Sequence, residues 1–350
     1  MEAAVNNIKS FGRTFQGEEV QLIRLDNGIL SCEVITFGAA LRTLYVQDRV
    51  GNVRDVVLGY DSIQEYQSHD AYLGATIGRH ANRIAKGRFF IDGKEYTLAV
   101  NNGPNHLHGG ITGFSHRVWT IEEVGEDFVK LSLFSPDGEE AYPGNMKVYV
   151  SYTLRANTLC IDYEAQADAD TVCNLTNHSY FNLAGHDSGS VLSQEIMINA
   201  EYYTPSDADS IPSGELAAVA GTPMDLRCFT KIGEHIESDF IQLVQGRGYD
   251  HNYVVDGAMG KLRTAALARC NESGIIMQLD TTLPGLQFYT ANYIDEGRLG
   301  KGNASYGPRH GFCLETQFFP DSPNQPDFPS AVLKAGEKYE HFTVFRFSSM

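Results

Sequence analysis

No stretch of this chain approaches the about 18 consecutive apolar residues that a membrane-crossing helix needs. The first residues, MEAAVNNIKSFGRTF, lack the apolar core of a secretory leader. Positive charge is scarce: 27 Lys and Arg stand against 44 Asp and Glu, a formal net charge of −17. Such a surface repels phosphate backbones and anionic lipids, so nucleic acid and membranes are not expected partners. It disfavours anionic substrates only weakly, because a local arginine can overrule net charge. Cysteine is sparse too. The six, at positions 32, 160, 173, 228, 270 and 313, form no C-x-x-C pair. A chain of 350 residues needs no disulfide stapling. Free thiols and a cytoplasmic location are expected. The nucleotide-binding patterns GxGxxG and GxxxxGK[ST] are missing. There is no strict repeat, no interdomain linker and little long helical periodicity.

What is present is alternation of period two. In KVYVSYTL, residues 147–154, Val148, Val150, Tyr152 and Leu154 share a face. In LCIDYEAQA, residues 159–167, Leu159, Ile161, Tyr163 and Ala165 oppose Cys160, Asp162, Glu164 and Gln166. Residues 117–124, 129–135 and 275–280 also read as strands, separated by clusters of Gly, Asn, Pro and Asp. With 34 glycines, the chain is expected to be all-β: one large antiparallel β-sandwich, residues 1–350 forming a single domain. Residues 228–236 read as a short helix and 60–66 as a single turn. Residues 320–329, with four prolines, read as an ordered loop before a final strand.

Polar residues gather in six segments: IGRHANRIAKGRF (77–89), NNGPNHLHGG (101–110), VCNLTNHSYFNLAG (172–185), RGYDHNYVVD (247–256), LPGLQFYTANY (283–293) and GFCLETQFFPD (311–321). If 172–180 is extended, Asn174, Thr176 and His178 share one face. In GFCLETQF, Cys313, Glu315 and Gln317 oppose Phe312 and Leu314, so Glu315 is expected to be partly desolvated. A half-polar face of this kind suits a cleft for a hydroxyl-rich ligand. Plainer readings stand beside it. His106 and His108 fit an Asn/Gly turn, and this is the preferred reading for His106. An H-x-H pair can also open a metal site, but no acidic residue follows within ten positions. Glu315 can equally be half of a structural ion pair. Arg79, Arg83 and Arg88 form either a solvated cluster or a phosphate grip.

Taken in order, these segments resemble the aldose 1-epimerase family, the galactose mutarotases. The matching blocks are GRHANRIAKGRF, NHLHGG with GF at 113–114, LTNHSYFNLAG, YDHNY, LPGLQFYTANY and GFCLETQFFPDSPNQPDFP, with TFGAALRTLYVQDRVGNVRDVVLGYDS (36–62) before them. The resemblance implies an open sugar cleft on a large antiparallel β-sandwich. It implies Glu315 as general base and His178 as general acid. Asn82, Arg83, His108, Asp250 and Gln287 would hold a free aldose such as galactose or glucose. It implies neither cofactor nor metal, no role for His106, and structural roles for Arg79 and Arg88. His80, Ser115 and His116 depart from the family pattern at positions that carry no chemistry.

In the implied reaction Glu315 takes the C1 hydroxyl proton while cationic His178 protonates the ring oxygen. The sugar opens to the aldehyde, rotates about C1–C2 and recloses. A nearby carboxylate is expected to raise the proton affinity of His178, and the Asn residues of its segment to orient it. Two alternatives remain. A hexose-6-phosphate epimerase would draw on Arg79, Arg88 or Arg117, and a non-catalytic sugar-binding module would keep the cleft alone. The protein is expected to be a monomer or a homodimer.

Overall fold

The computed structural model describes residues 7–350. Its ladders run antiparallel, and three sheets dominate. Residues 8–55 form a five-stranded meander from Ile8–Arg13 to Val53–Asp55, in chain order. A nine-stranded sheet follows the order Thr120–Val124, Phe128–Ser135, Met146–Arg155, Thr158–Ala167, Lys338–Ser349, Ile275–Thr281, Arg263–Arg269, Glu195–Ile198, Thr230–Lys231. A six-stranded sheet follows the order Tyr180–Phe181, Phe312–Gln317, Gly285–Tyr289, Asp250–Val254, Tyr202–Tyr203, Ala217–Ala218.

The period-two pattern predicts the central hairpin well. Met146–Arg155 pairs with Thr158–Ala167, setting Val148 opposite Ala165, Val150 opposite Tyr163 and Tyr152 opposite Ile161. The connection is two residues long, with Ala156 at φ 49, as tight hairpins of right-handed twist require. The inward side chains Val148, Val150, Leu159 and Ile161 are buried in one apolar cluster with Leu286, Phe288, Phe312 and Leu314 of the six-stranded sheet. At about 25 cal/mol per Å² of apolar area, that shared layer is the main force holding the two sheets face to face.

Three local expectations change. Residues 60–66 give a capped helix rather than one turn. Ile63–Ser68 is helical, Glu65 N–H donates to Ser62 Oγ, and Ser62 N–H donates to Glu65 Oε2. The S-x-x-E spacing is a capping box, and Ile63 and Tyr66 bury its apolar side. Residues 228–236 contain no helix. Thr230–Lys231 is an edge strand on Glu195–Ile198, and the N–H groups of Ile232 and Gly233 donate to the carbonyls of Gln194 and Leu192. The open sheet edge supplies bonds that a helix with Gly233 inside would have to forgo. Nor is 172–180 one strand. Thr171–Val172 pairs with Val332–Leu333, Thr176–Asn177 with Thr76–Ile77, and Tyr180–Phe181 with Phe312–Cys313.

The prolines of 320–329 lie in a loop with a 3-10 turn at Ser322–Asn324, before the last strand, Lys338–Ser349. The six cysteines are unpaired. Among the described residues no helix is long and apolar enough to cross a membrane.

Candidate active site

The six-stranded sheet sorts its side chains by alternation. Phe312, Leu314, Leu286 and Phe288 enter the core, so Cys313, Glu315, Gln287 and Tyr289 face the other way. Register then builds two rows. Glu315 lies beside Gln287, and Gln287 beside Asn252. Tyr180 lies beside Cys313, Cys313 beside Tyr289, and Tyr289 beside Asp250. Above this floor opens a cleft of about 590 Å³. Asn82, Arg83, His108, His178, Asp250 and Glu315 all line it. Gln287 is buried beneath, its Nε2 donating to Asp250 Oδ1 at 2.7 Å. All seven residues singled out in the sequence therefore come together.

The opposite wall comes from two strained residues. Asn82 and His108 are non-glycine residues with φ of 61 and 53. Asn82 N–H donates to His108 Nδ1 at 3.1 Å, and His108 N–H donates to the Asn82 carbonyl at 3.1 Å. Left-handed backbone costs each about 1–2 kcal/mol, and this reciprocal pair holds it. Gly109 lets His108 approach: a Cβ there would lie 1.9 Å from the Gly78 carbonyl oxygen. Arg83 Nε donates to Asn102 Oδ1 at 3.0 Å, which aims the guanidinium into the cleft.

At the centre, His178 Nε2 lies 3.7 Å from Glu315 Oε1. Both side chains are nearly inaccessible, at 5% and 3% exposure. The Cys313 thiol sits 3.5 Å from His178 Nδ1. Burial pushes that thiol well up, with Glu315 adding to it, so it remains S–H and can donate to a neutral Nδ1. In that tautomer the ring proton sits on Nε2, the nitrogen that faces Glu315. No asparagine of the segment bonds the imidazole. Asn177 instead ties Gly74 O and Tyr152 Oη, and Asn174 ties the 81 and 318 backbones. They fix the backbone around His178 rather than its ring.

The expected rise in the proton affinity of His178 is not what the site produces. Burial lowers it to about 4. Burial also raises Glu315 well above the ordinary carboxylate range, Asp250 adds to this, and Arg83 opposes it. Desolvation therefore outweighs the attraction between the two. His108 falls well below its usual value, through burial first and then the neighbouring His178 and Arg83. Glu315 Oε2 and Gln287 Oε1 have no hydrogen-bond partner among the described residues. Buried acceptors in that state are matched by hydroxyl donors of a ligand.

His108, His178 and Glu315 offer ligand atoms within 4.8 Å of one another. The tautomer of His108 does not suit a metal there. Its Nδ1 accepts a backbone N–H, so its Nε2 carries the proton and has no lone pair to give.

The remaining candidates are structural. His106 is buried in the short strand His106–Leu107 rather than in a turn: its Nδ1 donates to the Ala99 carbonyl at 2.7 Å and its Nε2 accepts from Tyr142 Oη at 2.6 Å. Arg79 is buried and donates to the carbonyls of Ser135, Pro136 and Pro143. Arg88 pairs with Glu95 and Arg117 with Glu139. Cys313 and Tyr180 contribute to the site although alternation alone marks them only as neighbours of functional residues. Tyr72, which also lines the cleft, sits in a loop with no motif to flag it.

Fold and site together define an antiparallel β-sandwich enzyme that sets one buried carboxylate against one buried imidazole beneath a polar cleft. The aldose 1-epimerase family model matches residues 21–346, and the chain belongs to that family. It is 46% identical to galactose mutarotase from Bos taurus over 94% of each chain. It is 46% identical to galactose mutarotase from Homo sapiens over 95% of each. It is 36% identical to aldose 1-epimerase from Escherichia coli over 95% of this chain and 96% of that one. A crystal structure of an aldose epimerase homologue from C. elegans superposes with a TM-score of 0.87, at 29% identity over 94% of this chain and 99% of that one. Galactose 1-epimerase from Lactobacillus acidophilus gives 0.85, at 28% identity over 98% of each.

Proposed function

We propose that this enzyme interconverts the α and β anomers of free aldohexoses such as galactose and glucose, with Glu315 as general base and His178 as general acid. The observation that carries the reading is the Glu315–His178 pair, buried 3.7 Å apart on the cleft floor. Opening a pyranose requires the C1 hydroxyl to lose a proton while the ring oxygen gains one. Charged Glu315 takes the first, and cationic His178 supplies the second. Each positioned transfer contributes about 10²–10⁴-fold. Rotation about C1–C2 turns the aldehyde, and ring closure reverses both transfers. The cycle restores each group without a cofactor.

The productive form carries one proton between the pair, on His178. Burial disfavours each charge alone, and a bound sugar restores the balance by donating a hydroxyl to Glu315 Oε2, which stabilises the carboxylate. Asn82, Arg83, His108, Asp250 and Gln287 hold the remaining hydroxyls. A hexose phosphate fits less well. Arg79, Arg88 and Arg117 are spent on protein partners, and Asp70, Asp209 and Asp295 stand in the cleft wall. A glycosidase would set two carboxylates about the bond. We place the chain in the cytoplasm on its six free thiols, as a monomer or homodimer.

Polarimetry of freshly dissolved α-D-galactose tests the reading. Wild-type protein is expected to speed the approach to equilibrium rotation, and His178→Ala to lose most of that acceleration. Sugar binding by calorimetry without any acceleration by the wild type would select the binding-module alternative instead.

A further inference from the structure

Four aromatic rings surround the imidazole of His178. Tyr180 stacks on it with centroids 5.0 Å apart and planes 29° from parallel. Tyr72 lies at 5.8 Å and 31°. His108 and Tyr289 meet it edge-on at 5.4 and 6.1 Å. Three of these follow from sheet register or from the strained wall. Tyr72 does not: it comes from the loop after helix Ile63–Ser68 and has a left-handed backbone, φ 53. An aromatic residue in that region is strained, and such strain persists only where its surroundings enforce it.

The surroundings here are His178 itself. Gly74 N–H donates to the His178 carbonyl at 3.0 Å, and His178 N–H donates to the Ala75 carbonyl at 2.9 Å. Ala75 N–H closes a turn onto the Tyr72 carbonyl at 3.0 Å, and Asn177 Nδ2 holds the Gly74 carbonyl at 2.7 Å. The turn that strains Tyr72 is thus bonded to both amides flanking the His178 side chain. His108 at 4.9 Å and His116 at 5.8 Å hold the phenol ring edge-on.

We propose that Tyr72 is a positioning residue for anomer interconversion: together with Tyr180 it holds the His178 ring with Nε2 toward Glu315 and stabilises its cationic form through the ring face. The inference rests on the reading of His178 as the acid. Aromatic faces attract cations, and more strongly where water is excluded. The other titratable groups facing His178 are Cys313 and Glu315 from the adjacent strand, Tyr289 and Asp250 beyond it, and His108 and Arg83 from the opposite wall. Of these only the carboxylates favour a cation. The tyrosine faces supply a second favourable contact in a site where burial works against the charge.

The test compares Tyr72→Leu, Tyr72→Phe and His178→Ala with wild type by polarimetry across pH, alongside an NMR titration of the His178 ring. A ring–cation contact of this kind is worth about half to one and a half pH units. Tyr72→Leu is expected to lower kcat about tenfold, leave KM within about threefold, and move one limb of the rate profile and the His178 titration to lower pH. Tyr72→Phe, which keeps the ring face, is expected to restore most of both. If Tyr72→Leu does not fold, Tyr72→Met carries the same expectations. The proposal is overturned if kcat and both limbs stay at wild-type values, if only KM rises, or if Tyr72→Phe loses as much as Tyr72→Leu. Full activity in His178→Ala would instead remove the acid assignment beneath it.

Discussion

Glu315→Gln is expected to make the protein nearly inactive and more stable at once. The substitution preserves shape and removes only the charge and the basic lone pairs. If Glu315 is the base, kcat falls by about 10²–10⁴, equivalent to about 2.7–5.5 kcal/mol in the barrier. The stability effect has the opposite sign. Burial raises the folded proton affinity of Glu315 above its usual 4.5, so the native state keeps a proton that the unfolded chain releases. Stability then declines as pH rises from about 4.5 toward the raised folded value, and above that value the loss is complete. Each pH unit climbed between 4.5 and the raised folded value removes about 1.4 kcal/mol. Over 350 residues, an unfolding entropy of about 2.1 cal/mol/K per residue turns each kcal/mol into about 1.4 °C of Tm. The introduced glutamine has no charge to desolvate, and its amide lies beside the unpartnered Gln287 Oε1 across the strand pair. Polarimetry and thermal denaturation at pH 4.5, 7 and 8 check both halves. The variant should melt above wild type at pH 7 and 8 and lose that advantage at pH 4.5. A kcat within tenfold of wild type would refute the base assignment. A dead variant that melts no higher at pH 8 would refute the account of burial.

Two further outcomes follow from the same electrostatics. His80 is fully buried, its ring nitrogens find no partner among the described residues, and burial lowers its proton affinity to about 3. The unfolded chain therefore binds a proton there below about pH 6.5 that the native state refuses, and stability falls with acidity. His80→Leu should reduce proton uptake on unfolding by about one between pH 4 and 6, measured from the pH dependence of urea midpoints; an unchanged uptake would contradict this. Asp250→Asn removes both a proposed sugar contact and a charge that raises Glu315. It should raise KM about tenfold, as for the loss of one charged hydrogen bond, and move the acidic limb of the rate profile to lower pH; a fixed limb would separate Asp250 from Glu315.

Most of the fold is legible in the sequence because strand alternation is local. Val148, Val150 and Tyr152 declare their face in eight residues, and the opposition of Glu315 to Phe312 and Leu314 holds in the structure. The site is legible as a set of residues through ordered blocks, not through any one motif. What escapes sequence reading is whatever depends on a distant partner. Residues 172–180 look like one strand but pair with three different segments. Residues 228–236 have a helical look that an open sheet edge overrides. The neighbour of the His178 ring is Cys313, 135 positions away, rather than an asparagine of its own segment. The direction of the His178 shift differs from expectation for the same reason: a carboxylate nearby in space is easy to infer, whereas the depth of burial belongs to the assembled sheet.

That depth bears on why the pair is one carboxylate and one imidazole. In a buried site each isolated charge is disfavoured, yet Glu315 ionised beside protonated His178 carries no net charge, and attraction across 3.7 Å grows as the local dielectric falls. Two carboxylates there would repel, and an imidazole beside an imidazolium would leave a net positive charge to bury. A carboxylate and an imidazole stay net-neutral wherever their shared proton sits, and burial alone leaves it on Glu315. In the proposed mechanism anomer exchange needs the same pair with the proton on His178, since the reaction moves a proton from one sugar oxygen to another and leaves the enzyme unchanged. The pH–rate profile should accordingly report the pair rather than either residue, its limbs being apparent values that belong to both groups.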